Sequence, residues 1–408
     1  MRLLNLKHSR QSEEEGRAES AGSGTMTGMQ KERTMAEEIR IALDAMGGDN
    51  APDLIVEGAV NALRHNDDMR IILVGRQDEI SRSLTKAKEK AGTSSGSNRK
   101  GEAARKEFPD WEKRISIRNA SEVIGTAEHP VEAVMHKKDS SLVVGMGLVK
   151  KGEADAFVSA GNSGAVLVGG QGIIGRIRGV HRPPFATLMP TAGGVILLLD
   201  AGANVDARPE HLAQWAMLGT IYMENSIGIR NPKVGILNIG AEESKGNQLV
   251  KDTYPLLKKM GEEGQINFTG SVEARDVPYG TCDVVVCDGF AGNIIIKMYE
   301  GSATVLLKEI KAALMSTARS KIGALMIKPA LKSTLKKFDA TAYGGAPMLG
   351  LKGLVVKMHG SAKEVEGERA MEQCVQYYRQ DIAAKITAYA EEEKKKQDEL
   401  KKAGAAAD

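Results

Sequence analysis

Large aromatic side chains are scarce in this 408-residue chain, at 4%, and cysteines number only three. Cys282, Cys287 and Cys374 contain no CxxC pair, and an odd count leaves one thiol over, so neither a disulfide framework nor a zinc cluster is expected. A reducing cytoplasm is the simplest location for such a chain. Long apolar runs are missing too. The longest uninterrupted one is Val195–Leu199, far short of the roughly 20 residues that cross a bilayer. Net charge is small: 56 Lys and Arg against 53 Asp and Glu leave +3, which excludes a dedicated nucleic-acid binder and confines any basic surface to a local patch.

Several chemistries lack their motifs. No GxxxxGK[ST] loop is present to hold a nucleoside triphosphate. The GxG at Gly145 and Gly147 lacks the third glycine and the preceding strand of a dinucleotide site. There is no GxSxG elbow, no cysteine beside a histidine at a helix start, and no histidine pair with metal-ligand spacing. Cys287, at the end of an apolar strand, reads as a buried thiol, and His181 and His211, each near arginine and proline, as solvated loop or helix-start histidines. No cofactor or metal is expected.

Glycine is what the chain has in excess: 45 residues, roughly 11% against a usual ~7%. No Gly-X-Y period accounts for it, so the positions must. Residues 1–38 carry mixed charge and small polar residues without an apolar period; they read as a disordered extension, with Met35 near the functional start. The start has no apolar stretch of signal-peptide length, and its arginines are accompanied by many glutamates, unlike a transit peptide. From Ile39 strands and helices alternate: IRIALD, MRIILVG, RISIRN, ADAFVSA, GGVILLLD, KVGILNIG and CDVVVCDG, with helices near 78–90, from 130, over 140–151, from 209 and over 244–260. This rhythm predicts an α/β fold with an open, mainly parallel sheet and helices on both faces. The α/β domain is placed at 39–388, with a mobile insertion at 91–107, a helical stretch over 290–337 interrupted only near Pro329, and a charged tail at 389–408.

Four predicted strands end alike, in Asp44-Ala-Met-Gly-Gly-Asp-Asn, Ser159-Ala-Gly-Asn-Ser-Gly, Asp200-Ala-Gly-Ala-Asn and Asp288-Gly-Phe-Ala-Gly-Asn. A fifth loop, Glu242–Asn247, opens the next helix. At the carboxyl ends of parallel strands such loops converge on a ligand crevice, and glycine lets backbone N–H groups approach an anion. Any one of them also reads as an ordinary structural turn; it is their repetition on one edge of one sheet that favours a shared crevice. Amides, hydroxyls, carboxylates and a few cations, with no activated nucleophile, suit a reaction whose substrate brings its own. Inorganic phosphate attacking an acyl carbonyl is such a reaction.

IALDAMGGDNAPDLIVEGA, FVSAGNSGAVL, RPPFATLMPT, LLLDAGANVDARPEHL, VGILNIGAEESKGN, FTGSVEARDV and VVVCDGFAGNIIIKMYEG, in this order over Ile39–Ala388, resemble the successive signatures of bacterial phosphate acyltransferases. The resemblance implies transfer of a long-chain acyl group from acyl carrier protein to inorganic phosphate. The acyl phosphate then serves a membrane acyltransferase that acylates glycerol 3-phosphate in phospholipid synthesis. It also implies a fold similar to isocitrate and isopropylmalate dehydrogenases and to phosphate acetyltransferase, and a cytoplasmic homodimer peripherally associated with the membrane. Carried onto this chain, it places Asp44, Gly47, Gly48, Asp49 and Asn50 on one wall and Ser159, Gly161, Asn162, Ser163 and Gly164 as the phosphate cradle. Asn204, Arg208 and His211 close the opposite side, Lys245 and Asn247 add phosphate or oxyanion donors, and Asp288, Gly289 and Asn293 stand at the last strand. The chain departs from the family at Ala201, Arg208 and Ala291, where valine, lysine and threonine are frequent; Arg208 keeps the charge but changes the donor geometry.

Residues 301–337 carry eight Lys and Arg against Glu309 alone, a net +7, interleaved with apolar residues. They read either as two amphipathic helices packed on the chain's own core, or as a projecting pair whose tip, with Ile322, Leu325, Met326 and Ile327, meets an anionic bilayer surface. Acyl carrier protein, itself acidic, could dock on the same flank. A phosphate acetyltransferase acting on short-chain acyl-CoA is the alternative enzyme; a non-catalytic membrane scaffold and a β-decarboxylating dehydrogenase are weaker, the latter because no arginine cluster with paired aspartates is present.

Overall fold

The computed structural model describes residues 38–93 and 107–405. Nearly all of the 1–38 extension, residues 94–106 of the insertion and the last three residues of the tail lie outside the described residues. In chain order the regular elements are β1 (Ile39–Asp44), α1 (Asp53–His65), β2 (Met69–Gly75), α2 (Gln77–Thr93), β3 (Ile115–Asn119), α3 (Pro130–His136), α4 (Ser141–Lys150), β4 (Ala156–Ser159) and α5 (Ser163–Gly169). There follow β5 (Thr187–Thr191), β6 (Gly194–Leu199), α6 (Pro209–Tyr222), β7 (Lys233–Asn238), α7 (Gln248–Glu262), β8 (Asn267–Glu273), β9 (Val284–Val286) and α8 (Gly289–Leu314). The chain continues with α9 (Ala318–Lys336), β10 (Ala346–Pro347), β11 (Leu354–Lys357), α10 (Glu364–Arg379) and α11 (Ile382–Ala405).

The strands form two sheets. One has the order β10-β11-β4-β1-β2-β3 and the other β5-β6-β9-β7-β8. Only β10–β11 and β5–β6 pair antiparallel, each at a sheet edge, so the mainly parallel α/β character holds in both. The strand-end loops predicted to share the edge of one sheet are therefore divided between two. β1 and β4 carry the Asp44 and Ser159 loops in the first sheet, and β6 and β9 carry the Asp200 and Asp288 loops in the second.

Central strands such as β1 and β4 are apolar and buried along almost their whole length, as expected where helices cover both faces. The one part-exposed residue of β1, Arg40, is held by Asp155 just before β4, with Nη2 3.0 Å from Oδ1. A single apolar cluster runs across both sheets, joining Ile41, Leu43 and Val158 of the first to Leu197, Leu199 and Trp215 of the second. Each such side chain contributes about 1.5–3 kcal/mol on burial, so the two halves share one core.

The helical stretch over 290–337 breaks at Met315–Thr317, not near Pro329. Thr317 and Ser320 cap α9 reciprocally, the Thr317 Oγ1 accepting from the Ser320 N–H and the Ser320 Oγ from the Thr317 N–H, each at 3.0 Å. Pro329 lies inside α9, where residues 325–330 are exposed and water can take the carbonyl that its missing N–H would have bonded. No residue from 301 to 335 is buried.

Candidate active site

At the end of β1, Asp44 is buried and its carboxylate gathers two loops. Ser159 Oγ, at the end of β4, donates to Asp44 Oδ2 at 2.7 Å, and the Met46 N–H donates to Oδ1 at 3.2 Å. The Gly161 N–H in turn donates to Ser159 Oγ at 3.0 Å. Burial pushes the Asp44 carboxyl above its ordinary range, opposed by hydrogen bonds from Ser141, Ser159 and the Met46 and Gly47 backbone. Gly47 fits this cluster because it has no side chain: a Cβ there would stand 2.5 Å from Asp44 Oδ2 and 2.7 Å from the Gly161 nitrogen. The segment after β11 closes the wall, with Gly360 O accepting from the Asp49 N–H at 2.7 Å. Asn50 Nδ2 donates to Ser361 O and Ala362 O at 3.0 and 3.1 Å.

The Ser159–Gly164 loop spends most of its polar groups on itself and its neighbours. Asn162 Oδ1 caps α5 through the Ala165 N–H at 3.0 Å, while its Nδ2 donates to the carbonyls of Gly125, Thr126 and Glu128. Gly164 packs on Pro130 at the start of α3. Asp49 and Ser163 are the exposed polar side chains of these two loops. One group here is absent from the sequence reading: Lys357, the last residue of β11, in register with Ser159. Its ammonium donates to Met358 O and stands 3.5 Å from Ala160 O. Burial pulls it down to about 8, against the opposite pull of Asp44 and Asp49. The legible signal was its place, a lysine closing the apolar run LVVK, as Asp44 and Ser159 close theirs.

The second sheet repeats the device. Asp200, at the end of β6, is fully buried; its Oδ1 accepts from the N–H groups of Phe185 at 2.8 Å and Ala203 at 3.2 Å. Oδ2 accepts from the Asn204 N–H at 2.5 Å and Asn204 Nδ2 at 2.9 Å. Burial again raises the carboxyl, opposed by those bonds. Asn204 Nδ2 also reaches Pro183 O at 3.2 Å, and Asn204 Oδ1 is buried without a partner. The start of α8 is fitted to this loop. The Gly289 N–H donates to Asn204 O at 2.8 Å, a Cβ on Gly292 would lie 2.0 Å from Asp200 O, and Asn293 Nδ2 lies against Gly202. Asp288 caps α8 through the Ala291 N–H at 2.7 Å.

His211 sits in the first turn of α6, buried, its ring stacked on Trp215 at 6.2 Å and 6.4 Å from that of His181. Its Nδ1 accepts from the Arg208 N–H at 3.1 Å, which assigns the ring proton to Nε2. Burial first, then Arg182, His181 and Arg208, hold its pKa below the ordinary value, against the pull of Glu210. The Arg208 guanidinium is largely exposed, 3.9 Å from Glu210. Asn204, Arg208 and His211 are thus brought together, joined by Arg182, whose carbonyl accepts from Trp215 Nε1 at 2.7 Å.

The two walls adjoin. Ala201 and Ala203 pack against the buried cluster that contains Phe157, Ala165 and Val166 of the first sheet's side, and His359 Nε2, after β11, lies 4.0 Å from Glu300 Oε2 of α8. The Glu242–Asn247 loop is attached differently. Asn247 Oδ1 caps α7 through the Val250 N–H at 3.0 Å, and Asn238 Nδ2 joins Lys245 O to Ser271 Oγ of β8. Its hydrogen bonds run to β7, α7 and β8 rather than to the other strand ends, and Lys245 is exposed. The three cysteines are buried, with their thiols pushed upward by burial, and no group of three or more His, Cys, Asp or Glu among the described residues could hold a metal ion.

A family model described as a fatty acid synthesis protein matches residues 39–97 and 96–385. The phosphate acyltransferase of Clostridium acetobutylicum is 44% identical over 352 residues, covering 86% of this chain and 99% of its own. That of Desulfitobacterium hafniense strain DCB-2 is 46% identical over 342 residues, covering 83% and 94%. The chain belongs to the phosphate acyltransferase family. Among solved structures, a phosphotransacetylase from Streptococcus pyogenes superposes with a TM-score of 0.52 at 18% identity, covering 84% of this chain and 94% of its own, a likeness of fold. Within this family member, the depressed His211 pKa has a measurable sign. A folded-state pKa below the unfolded value of about 6.5 adds stability that is complete above that pH and is lost as pH falls through the folded value. Urea midpoints at pH 7.5 and 5.5 should therefore fall further for the wild type than for His211→Gln; equal falls would contradict the assignment.

Proposed function

We propose that this chain transfers a long-chain acyl group from the thioester of acyl carrier protein to inorganic phosphate, yielding an acyl phosphate for glycerol 3-phosphate acylation. The observation that carries the reading is the adjoining of two strand-end walls, the first bearing Lys357 and the second Arg182 and Arg208, with no accessible thiol to form an acyl-enzyme. A phosphate oxygen attacks the thioester carbonyl carbon; the tetrahedral oxyanion collapses, the C–S bond breaks, and the carrier thiol leaves. The backbone of Gly48 and Gly164, with the exposed Ser163 hydroxyl, forms the phosphate side, shaped from below by Asp44, Gly47, Ser159, Gly161, Asn50 and Asn162. On the other side Arg208 and the Nε2–H of neutral His211 face the developing oxyanion, where one preorganised donor is worth about 3–4 kcal/mol. Asn204, Asp288, Gly289 and Asn293 hold that wall in place. In the Glu242–Asn247 loop, Lys245 supplies the charge, and Asn247 the cap that positions it. Incubation with long-chain acyl carrier protein and phosphate should give hydroxylamine-trappable acyl phosphate, and Arg208→Ala should lose at least about tenfold in turnover, equivalent to about 1.4 kcal/mol. Product from short-chain acyl-CoA but not from acyl carrier protein would select the acetyltransferase alternative.

A second property is favoured by the α8–α9 pair. Leu325 and Met326 are 71% and 78% exposed, beside exposed Ile322 and Ile327, on a segment of net charge +7. No described helix is long and apolar enough to cross a membrane. The exposed apolar side chains at 322–327, which lie within α9 and not at the Met315–Thr317 turn of the pair, insert into an anionic lipid surface from the cytoplasmic side with lysines at the headgroups, while Val305, Leu306 and Ile310 on α8 meet a second copy in a homodimer. Delivery at that surface shortens the path of a hydrolysable acyl phosphate to the membrane acyltransferase that consumes it. Co-sedimentation with vesicles should rise with anionic lipid and fall in Leu325→Glu; indifference to both would remove the membrane contact.

A further inference from the structure

The first wall has a charge problem. Two carboxylates, buried Asp44 and exposed Asp49, belong to the wall on which the proposed phosphate would sit. Its conspicuous donors are already engaged: Ser159 Oγ by Asp44, the Gly161 N–H by Ser159, Asn50 Nδ2 by the carbonyls after β11, and Asn162 Nδ2 by three carbonyls of the 125–128 loop. Neutral backbone N–H groups alone would have to offset both the desolvation of a dianion and its repulsion by two acids.

Lys357 occupies the position that answers this. β11, β4 and β1 are adjacent parallel strands, and Lys357 is in register with Ser159, whose hydroxyl bonds Asp44, so three strand ends place a cation, a hydroxyl and a carboxylate side by side. Parallel partners in register point to the same face of a sheet. The Lys357 ammonium is fixed: it donates to Met358 O and lies 3.5 Å from Ala160 O, the carbonyl that precedes Gly161. An ammonium has three donors. Those two carbonyls take two, which leaves one for a ligand beside Ala160, the residue that leads into the Gly161–Gly164 loop. We propose that Lys357 is the cation that binds the phosphate substrate on the first wall, its ammonium positioned by the Met358 and Ala160 carbonyls. This rests on the proposed phosphate transfer and adds to it a residue outside every motif quoted above.

The test is steady-state kinetics in phosphate and in acyl carrier protein thioester for Lys357→Met and Lys357→Cys, the latter before and after alkylation with 2-bromoethylamine. Alkylation rebuilds an ammonium at nearly the lysine length, and the three native thiols are buried. A charge-assisted hydrogen bond predicts a phosphate KM raised roughly tenfold to a hundredfold in both variants. The KM for the acyl substrate should stay within about twofold, and aminoethylation should restore the phosphate KM. Should Lys357→Met fold poorly, the paired Lys357→Cys measurements before and after alkylation decide on one polypeptide. A phosphate KM unchanged in both variants, or still raised after aminoethylation, overturns the assignment and leaves Lys357 a tether between carbonyls. Arg208→Ala separates the two levels. If it impairs phosphate use while the Lys357 variants do not, the transfer reading stands and the lysine assignment fails; if no variant or wild type makes acyl phosphate, the transfer reading itself fails.

Discussion

Two buried carboxylates organise this molecule. Asp44 closes β1 in one sheet and Asp200 closes β6 in the other, and each is out of contact with solvent where an unpartnered charge would cost several kcal/mol. Each must therefore be surrounded by donors, and the donors available are the N–H groups and hydroxyls of the loops that follow the strands. Satisfying Asp44 draws in Met46 and Ser159, and through Ser159 the Gly161 loop. Satisfying Asp200 draws in Phe185, Ala203 and Asn204, and Gly289 and Gly292 of α8 close over them. The proposed site is the space between two loop systems, each anchored from beneath by one carboxylate.

This explains the division of labour among polar residues. Those packed most tightly into the motifs, Asp44, Ser159, Asn162, Asp200 and Asp288, are committed to loop geometry and helix caps. The charges offered to an anion in the proposed site are Arg182 and Arg208, exposed within their motifs, and Lys357, at the end of β11 outside them. Rigid loops fix where backbone donors point, and cations supply the attraction, so the two requirements of an anion site are met by different residues.

The alternation of apolar runs with helical spacing made the α/β class and most elements legible, because the central strands are largely buried and read as apolar runs with few interruptions, such as Arg40 in β1 and Arg70 in β2. Two sheets could not be told from one, since strand order depends on pairings between residues distant in sequence, such as Leu43 with Val158 and Leu199 with Val286, that leave no local signal. The α8–α9 break was misplaced at Pro329 because a proline inside an exposed helix costs less than its reputation suggests, while the Thr317–Ser320 cap is a quieter mark. The strand-end loops were recognisable from glycine and asparagine, but their hydrogen-bond commitments were not. Asn162 has the composition of an anion donor and the contacts of a cap. Lys357 went unnoticed because a single lysine after three aliphatic residues acquires meaning only beside Ser159.

The central claim is that the first wall holds the phosphate and faces the acyl group across the second. Amide hydrogen exchange of the full chain with and without inorganic phosphate tests it directly. Slowed exchange is predicted in residues 46–50, 160–164 and 358–361 of the first wall. Protection confined to 201–211 or to 239–247, with none on the first wall, would contradict it.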